Sequence, residues 1–167
     1  MTEFVFPFHY PTIADAIAAH EQAMEISGDV VQGANPDAIA LFEASLDLIK
    51  IDDFYRSFDE KLTHLFFSAC KAHAFVEGNK RFTVALCAKF LTDNGFGHRA
   101  TRFMRYMENV VVCVADNKID KAFLGQIMIA FLSGEEEEEE IKLRILEAVE
   151  QVRLDQEQRD AENQPPA

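Results

Sequence analysis

The sequence predicts one mainly α-helical domain with a short flap, followed by an acidic helical tail. Three observations support this prediction. Apolar residues recur at helical spacing through most of the chain, and capping residues stand where several apolar runs begin. In addition, 49% of the 167 residues are apolar, which is enough for one substantial core. The predicted boundaries are 1–133 for the domain and 134–167 for the tail, whose C-terminal end we expect to be disordered.

The N-terminal segment predicts an aromatic arm followed by a helix. Residues 1–11 are rich in aromatic side chains, and we expect this arm to pack on the domain. Thr12 precedes an apolar repeat that runs to about Ile26, and Asp15 follows at capping distance. His20 lies on the apolar face, where we expect a packed core histidine; a contribution to a functional site is the alternative.

A glycine-bracketed segment at residues 28–36 predicts a loop or a short β-hairpin. Loops of this length on helical domains often carry binding residues, although a plain connector fits the sequence equally well. If the segment is a flap that docks a target protein, its candidate residues are Asp29, Val30, Val31 and Gln32.

The middle of the chain predicts two helices that lead to a polar motif. Residues 37–50 predict the first helix, and a capping box of Ser57 and Glu60 starts the second. The second helix carries an apolar stripe with a 3.6-residue repeat, and His73 is the last member of that stripe. We therefore expect His73 to point inward from the end of a buried helix.

The nine residues that follow from this helix into the next combine an imidazole, a carboxylate, a glycine, an amide and two cations. They read His73-Ala74-Phe75-Val76-Glu77-Gly78-Asn79-Lys80-Arg81. A helix N-terminus offers free backbone N–H groups to an anion, a carboxylate beside phosphates can hold Mg²⁺, and a histidine can accept a proton from a hydroxyl. The set predicts a site where a hydroxyl attacks a nucleotide phosphate. The structural alternative is a buried histidine, a turn and surface cations.

The second half predicts a buried central helix and two more core helices. Residues 82–91 are apolar nearly all round, which is typical of a helix surrounded by others. Asn94-Gly95 predicts its left-handed end. Residues 100–115 predict the next helix, with some strand character from three consecutive valines, and Asp120 caps the last core helix.

The net charge of −13 argues against general affinity for nucleic acid, which needs clustered Lys and Arg. Much of this charge lies in residues 134–167, which predict either a solvated helix or a partner-binding one. Three isolated cysteines predict no disulfide framework and no zinc site. The N-terminus has no secretory pattern and no stretch predicts a membrane span, so we expect a cytoplasmic protein.

The nine-residue motif resembles the signature of the Fic/Doc family, H-P-F-x-[D/E]-[G/A]-N-[G/K]-R. With Lys80 it is most similar to the death-on-curing (Doc) branch of toxins. Weaker likenesses around His20, the flap and residues 88–95 extend the resemblance over about residues 10–133. The resemblance implies a Fic/Doc-type helical bundle with the motif between two core helices, and it implies ATP and Mg²⁺ as cofactors.

The resemblance also implies a role for each motif residue. His73 would be the general base, Glu77 the metal carboxylate, and Phe75 the anchor of the loop in the core. The phosphate cradle would consist of Gly78, Asn79, Lys80 and Arg81. The flap would position a segment of a target protein by main-chain pairing.

Lys80 bears on the choice of reaction. AMP-transferring members usually carry glycine at this position and often a second arginine where this chain has Val84. In Doc-like members the lysine accompanies a reversed nucleotide, and the γ-phosphoryl group passes to a hydroxyl of elongation factor Tu, which arrests translation. The resemblance thus implies a toxin that acts as a protein kinase.

Departures from the pattern keep alternatives open. Ala74 replaces the usual proline, so we expect a less rigid loop. Glu77 and Gly78 are closer to the Fic form, which keeps AMP transfer as the alternative; a non-catalytic nucleotide- or protein-binding helical protein is the second. Self-restraining members carry [S/T]-x-x-x-E-[G/N], and only residues 133–137 approach it. The expected partner is therefore a separate antitoxin protein that acts in trans.

Overall fold

The computed structural model describes residues 7–163, which contain seven α-helices. These are α1 (Ile13–Ser27), α2 (Pro36–Leu48), α3 (Phe58–Ala72), α4 (Asn79–Leu91), α5 (Ala100–Ala115), α6 (Lys121–Ser133) and α7 (Glu139–Glu162). Each helix corresponds to one that the sequence predicts, so the mainly α-helical class is confirmed. Residues 1–6 of the predicted arm and residues 164–167 of the tail lie outside the described residues.

Helix α4 is the central helix of the domain. It packs against α1, α3 and α5, and α3 in turn packs against α2 and α6. The buried side chains of α4 cover most of its circumference, as the sequence predicts: Phe82, Thr83, Val84, Leu86, Cys87, Ala88, Phe90 and Leu91. Because neighbouring helices hold α4 on several sides, its N-terminus provides a rigid platform for the motif.

The predicted capping residues start their helices as expected. Thr12 and Asp15 form a complete capping box at the start of α1. Ser57 and Glu60 form the same arrangement at α3, and the Asp120 side chain caps α6. These local bonds satisfy backbone N–H groups that a helix start otherwise leaves without a partner.

The end of α4 is slightly more complex than predicted. The α-helix stops at Leu91, and a π-helical turn occupies Thr92–Phe96. Gly95 within this turn has the predicted left-handed conformation, with φ 89°. The side chain of Asn94 binds the backbone N–H and C=O of His9 at 2.8 and 2.9 Å, and this attaches the arm to the domain.

The flap at residues 28–35 is a loop, and the hairpin alternative is wrong. Its residues form no ladder with one another. The loop instead pairs with the motif through one antiparallel bridge between Ala34 and Phe75. The backbone hydrogen bonds beside this bridge measure 2.8 and 3.1 Å. Backbone groups of Gly33 and Asn35, which could have closed a hairpin, are thus bonded to Val76 and Ala74 of the motif.

The tail is attached to the domain at its start. Glu136 is only 2% exposed, and its carboxylate pairs with Arg99 at 3.0 Å and Arg102 at 2.6 Å. Helix α7 then packs along α5 and buries Ile141 and Ala148. Its outer face includes the exposed residues Leu143, Leu146 and Leu154. The predicted domain boundary at residue 133 stays a prediction.

Two further predictions concern the three cysteines and the absence of a membrane-spanning helix. Cys70, Cys87 and Cys113 are buried free thiols. Burial raises the pKa of all three, which suits small core residues without redox or metal chemistry. Among residues 7–163, no helix has both the length and the apolar character of a membrane span.

Candidate active site

The motif forms a compact loop between α3 and α4. Helix α3 ends at Ala72 and is followed by His73, whose φ of 48° and ψ of 41° are left-handed; α4 starts after Gly78, which is also left-handed with φ 80°. These two residues bracket a sharp reversal of the chain. A left-handed conformation is uncommon for residues other than glycine and costs backbone energy, so the surrounding loop must hold it.

The inward orientation predicted for His73 is wrong, because the residue is exposed. The helical repeat that predicted burial stops at Ala72. At His73 the left-handed backbone turns the chain away from the helix axis, and Ala74 and Phe75 take the buried positions instead. Within residues 7–163 the His73 ring has no hydrogen-bond partner, so it is available to a ligand.

Phe75 and Asn79 hold the loop closed. Phe75 is 5% exposed; its ring lies 4.9 Å from Phe82 and 3.7 Å from His20, with the His20 ring parallel to it. The Asn79 amide accepts from the Phe75 N–H at 3.0 Å and donates to the Phe75 carbonyl at 2.7 Å. The side chain of Asn79 thus closes the turn, and a phosphate contact from this residue would come mainly from its backbone N–H.

His20 lies beside the motif, where the sequence predicted a core histidine and gave a contribution to the site as the alternative. It is 1% exposed, which confirms the predicted core histidine. It also lies 2.8 Å from the carbonyl oxygen of Glu77 through its Nε2 atom. A carbonyl only accepts, so Nε2 carries the proton and donates. Its place on an apolar helix face gave no indication of this contact, which joins residues 57 positions apart.

Gly78 is required by both conformation and space. Its φ of 80° favours glycine, and a Cβ added there would lie 2.4 Å from the sulfur of Met24 and 3.2 Å from Nε2 of His20. The backbone therefore comes close to α1 at this point. A larger residue would push the loop away from the helix that supports it.

The N-terminus of α4 is open to an anion. Its first backbone bond runs from the Phe82 N–H to the Gly78 carbonyl, at 2.9 Å. Within the described residues, the N–H groups of residues 77–81 have no acceptor. These groups and the helix dipole together favour negative charge at this end.

Lys80 and Arg81 lie beside a groove of about 700 Å³ between α1, α4 and α5. The Arg81 guanidinium pairs with the carboxylate of Asp29 on the flap. The Lys80 ammonium has no side-chain partner within residues 7–163. Most of the groove is apolar, and its lining includes Ala23, Ile26, Val84, Ala85, Met104 and Val111.

Glu77 fits a magnesium ion that is shared with phosphates. Its side chain is exposed and has no hydrogen bond or ion pair in the described part of the chain. Among residues 7–163, no group of three His, Cys, Asp or Glu side chains converges on one point. Mg²⁺ is commonly held by one or two carboxylates together with phosphate oxygens and water, so a single carboxylate beside the anion site is an adequate donor set.

The other flap candidates lie apart from the motif's polar groups. Val30 is 79% exposed and Val31 is 49% exposed. Gln32 is also exposed, and only Asp29 reaches a motif side chain. The near match to a self-restraining helix, residues 133–137, has no hydrogen bond or ion pair with the motif among the described residues. Glu137 pairs with Arg102 at 3.3 Å and Lys142 at 3.1 Å, not with Arg81.

Within the described residues, the motif thus combines an exposed histidine, a carboxylate without a partner and an open helix N-terminus, which is a donor set suited to phosphate chemistry. The family model described as Fic/DOC family matches residues 10–91. The chain belongs to this family, whose members generally use ATP with Mg²⁺ to modify proteins. Neither the search of curated proteins nor the search of solved structures gave a match. The match ends with α4 and so includes the whole motif.

Proposed function

We propose that this protein is a Doc-like toxin that transfers the γ-phosphoryl group of ATP to a hydroxyl of elongation factor Tu. The observation that supports this proposal best is Lys80 beside Arg81 at the open N-terminus of α4. Lys80 is exposed and unpaired within residues 7–163, so its charge is available to a phosphate. A lysine here fills and charges the space that a glycine would leave to the distal phosphates of a nucleotide in the AMP-transfer orientation.

In the proposed reaction, the target hydroxyl oxygen bonds to the γ-phosphorus as the bond to the bridging oxygen of ADP breaks. The hydroxyl proton passes to the imidazole of His73. Proton transfer to a positioned base contributes roughly 10²–10⁴ to a rate. The backbone N–H groups of residues 77–81, together with Lys80 and Arg81, hold the phosphates in line.

Glu77 would hold Mg²⁺ in this reaction. When bound, the ion would neutralise charge on the phosphate oxygens. Asn79 keeps the loop closed around the free N–H groups. The polar motif residues thus have proposed tasks in phosphate binding, in metal binding, in proton transfer or in the shape of the loop.

AMP transfer is the second candidate, and Glu77-Gly78 favours it because this pair is closer to the Fic form. The two reactions leave different groups on the target, about 80 Da for phosphoryl and about 329 Da for adenylyl transfer. We expect γ-labelled ATP with Mg²⁺ to label elongation factor Tu, and α-labelled ATP to leave it unlabelled. Label from α-labelled ATP would establish AMP transfer instead.

Lys80→Gly tests the same choice within the chain. If Lys80 enforces the nucleotide orientation, this variant should lose phosphoryl transfer and gain adenylyl transfer, measured as the mass of the modified target. Lys89→Gly is a suitable control for general charge loss, since Lys89 also lines the groove but lies about two and a half helical turns away from Lys80. A Lys80→Gly variant that still adds a phosphoryl group would remove Lys80 from this role.

The partner we propose is an antitoxin that acts in trans and covers the α1–α4–α5 groove. Ile26 is 80% exposed and Met104 is 41% exposed at this groove. A segment with an apolar face and carboxylates would match this surface and the adjoining Lys80 and Arg81. Expression of the chain alone should arrest growth, and Ile26→Glu should keep the arrest but lose relief by the antitoxin. Relief that survives Ile26→Glu would place the antitoxin elsewhere.

A further inference from the structure

We propose that His20 is a positioning residue that orients the Glu77–Gly78 peptide for phosphate binding. The proposal rests on the proposed function, since it concerns the same anion site. His20 belongs to α1 and not to the motif, yet its Nε2–H donates to the Glu77 carbonyl at 2.8 Å. This hydrogen bond connects α1 to the loop between His73 and the start of α4.

The direction of this carbonyl fixes the direction of the next N–H group. In a trans peptide the C=O and the following N–H point to opposite sides of the chain. The Glu77 oxygen faces the ring of His20, so the Gly78 N–H faces away from that ring. It is one of the N–H groups of residues 77–81 that have no acceptor in the described part of the chain.

The peptide needs such a hold because its neighbours restrain it weakly. Gly78 tolerates conformations that other residues avoid, so a rotation of this peptide costs little at Gly78 itself. Ala74 does not fix the loop as a proline would. A rotated peptide would present the Glu77 carbonyl oxygen to the ligand, and a carbonyl repels a phosphate where an N–H attracts it.

His20 is itself held firmly enough for this task. Its ring is 1% exposed, stacks 3.7 Å from Phe75 with an interplanar angle of 1°, and meets Phe82 edge-on at 6.4 Å. Helix α1, which carries it, packs directly on α4. The orientation of the anion site therefore depends on the contact between α1 and the motif loop as well as on the motif.

Three substitutions separate the hydrogen bond from packing. His20→Phe keeps an aromatic ring on Phe75 and removes the donor. His20→Gln places an amide N–H the same number of bonds from the backbone as Nε2, and His20→Asn is one methylene too short to reach the Glu77 carbonyl. His9→Phe is the matched control, because His9 is exposed and lies beside Asn94, beyond the opposite end of α4.

The affinity for Mg·ATP, measured by calorimetry on the full chain, should separate these variants. We expect His20→Phe and His20→Asn to bind about 5- to 10-fold more weakly, and His20→Gln to stay within about 2-fold of the wild type. His9→Phe should bind as the wild type does. Thermal unfolding identifies any variant that does not fold, and the comparison of Gln with Asn stands even if Phe is not tolerated.

A spectrum of the free protein labelled with ¹⁵N-glycine gives the second readout. The chain has seven glycines, so the amide signal of Gly78 can be followed individually. It should move in His20→Phe and His20→Asn and return towards its wild-type position in His20→Gln, while the other glycine signals stay in place. A merely structural role for His20 would also move the signal of Gly28, which caps the end of α1, and would not be rescued by Gln.

The outcomes distinguish the two proposals. If the wild type binds Mg·ATP and all three His20 variants bind equally well, the positioning role is wrong and the proposed function stands. A wild type that binds no Mg·ATP would overturn both. An unchanged Gly78 signal in His20→Asn would also overturn the positioning role, whatever the affinity.

Discussion

His64, within α3, and His73, which caps the end of that helix, differ in almost every physical respect, although they are only nine positions apart. His64 lies within the helix and is 9% exposed, and both of its ring nitrogens have partners. His73 lies at the helix end, exposed and left-handed, and its ring has no partner within residues 7–163. The same residue type therefore has its polar groups satisfied at one position and open to a ligand at the other.

The partners of His64 determine its tautomer. On the Nδ1 side, the Tyr55 hydroxyl lies at 2.7 Å and the Lys121 ammonium at 3.0 Å. An ammonium only donates, so Nδ1 accepts and Nε2 carries the hydrogen. Nε2 then faces the hydroxyl of Ser45 at 2.9 Å and that of Ser68 at 3.2 Å. This network joins α2, α3 and α6.

The network also keeps His64 neutral. Burial, with a further contribution from the Lys121 charge, lowers the pKa of His64 from 6.5 to about 4. An enclosed imidazole with so low a pKa is a weak base at neutral pH and is closed to a substrate. His64 is therefore a structural histidine, although its Ser–His contact resembles part of a nucleophilic site.

The largest expected effect comes from removing the imidazole of His73. His73→Gly should reduce phosphoryl transfer to elongation factor Tu by roughly 10²–10⁴, because the proposed reaction then lacks its positioned proton acceptor. Its stability should stay equal or rise slightly, since glycine adopts the left-handed conformation without strain. Label transfer and thermal unfolding measure the two quantities.

His73→Asn is the control that separates the loss of the imidazole from the greater backbone flexibility that glycine introduces. Asparagine tolerates the left-handed region but cannot act as a base near neutral pH. It should lose activity as the glycine variant does while it still binds Mg·ATP. Full activity in His73→Asn would remove His73 from the proton transfer.

The second effect is expected at His64, where a substitution should lower stability but leave the affinity for Mg·ATP unchanged. His64→Phe retains a ring against Tyr55 but deprives four polar groups of a partner, which should lower the free energy of unfolding by about 2–3 kcal/mol. Mg·ATP affinity per folded molecule should not change. Ser68→Ala is the milder control and should cost about 1 kcal/mol or less. Urea unfolding and calorimetry on the same samples check both statements.

The contrast between the two histidines also shows what the sequence could predict. The capping boxes of α1 and α3 depend on residues three positions apart, and the burial of α4 follows from its own composition, so local patterns predict both. The nine-residue motif predicts the candidate site because its residue types are adjacent in the sequence. Extending the stripe of α3 to His73 failed because the helical period no longer holds once the backbone becomes left-handed.

Contacts between distant segments were not predictable in this way. The bond from His20 to the Glu77 carbonyl spans 57 positions, and the ion pair of Asp29 with Arg81 spans 52. Nothing in the local spacing of either residue distinguishes it from an ordinary core histidine or loop aspartate. Such pairs depend on how α1 packs on α4, which sequence periodicity leaves open.

A third prediction concerns pH and tests whether the buried His64 stays neutral in the folded protein. Between pH 6.5 and about 4, His64 takes up a proton in the unfolded chain and stays neutral in the folded one. The unfolded state then binds more protons, so this contribution to stability is complete above pH 6.5 and is lost as the pH falls towards 4. His64→Gln lacks the contribution. Its stability deficit relative to the wild type, measured by urea unfolding, should therefore shrink on acidification; a constant deficit would contradict the neutral, buried assignment.

The smallest effect concerns the ion pair between Asp29 on the flap and Arg81 in the motif. Asp29 holds the Arg81 guanidinium in an exposed ion pair, and a phosphate must displace that carboxylate. Asp29→Asn should therefore tighten Mg·ATP binding by about 2- to 5-fold at low salt, the range of a solvent-exposed pair, and less as the ionic strength rises. Asp53→Asn, at an exposed aspartate outside the site, should leave the affinity unchanged. Weaker binding in Asp29→Asn would mean that the flap aspartate orients Arg81 for the phosphate. The ion pair would then be part of the binding site, and Arg81 would not be a group that must first be released.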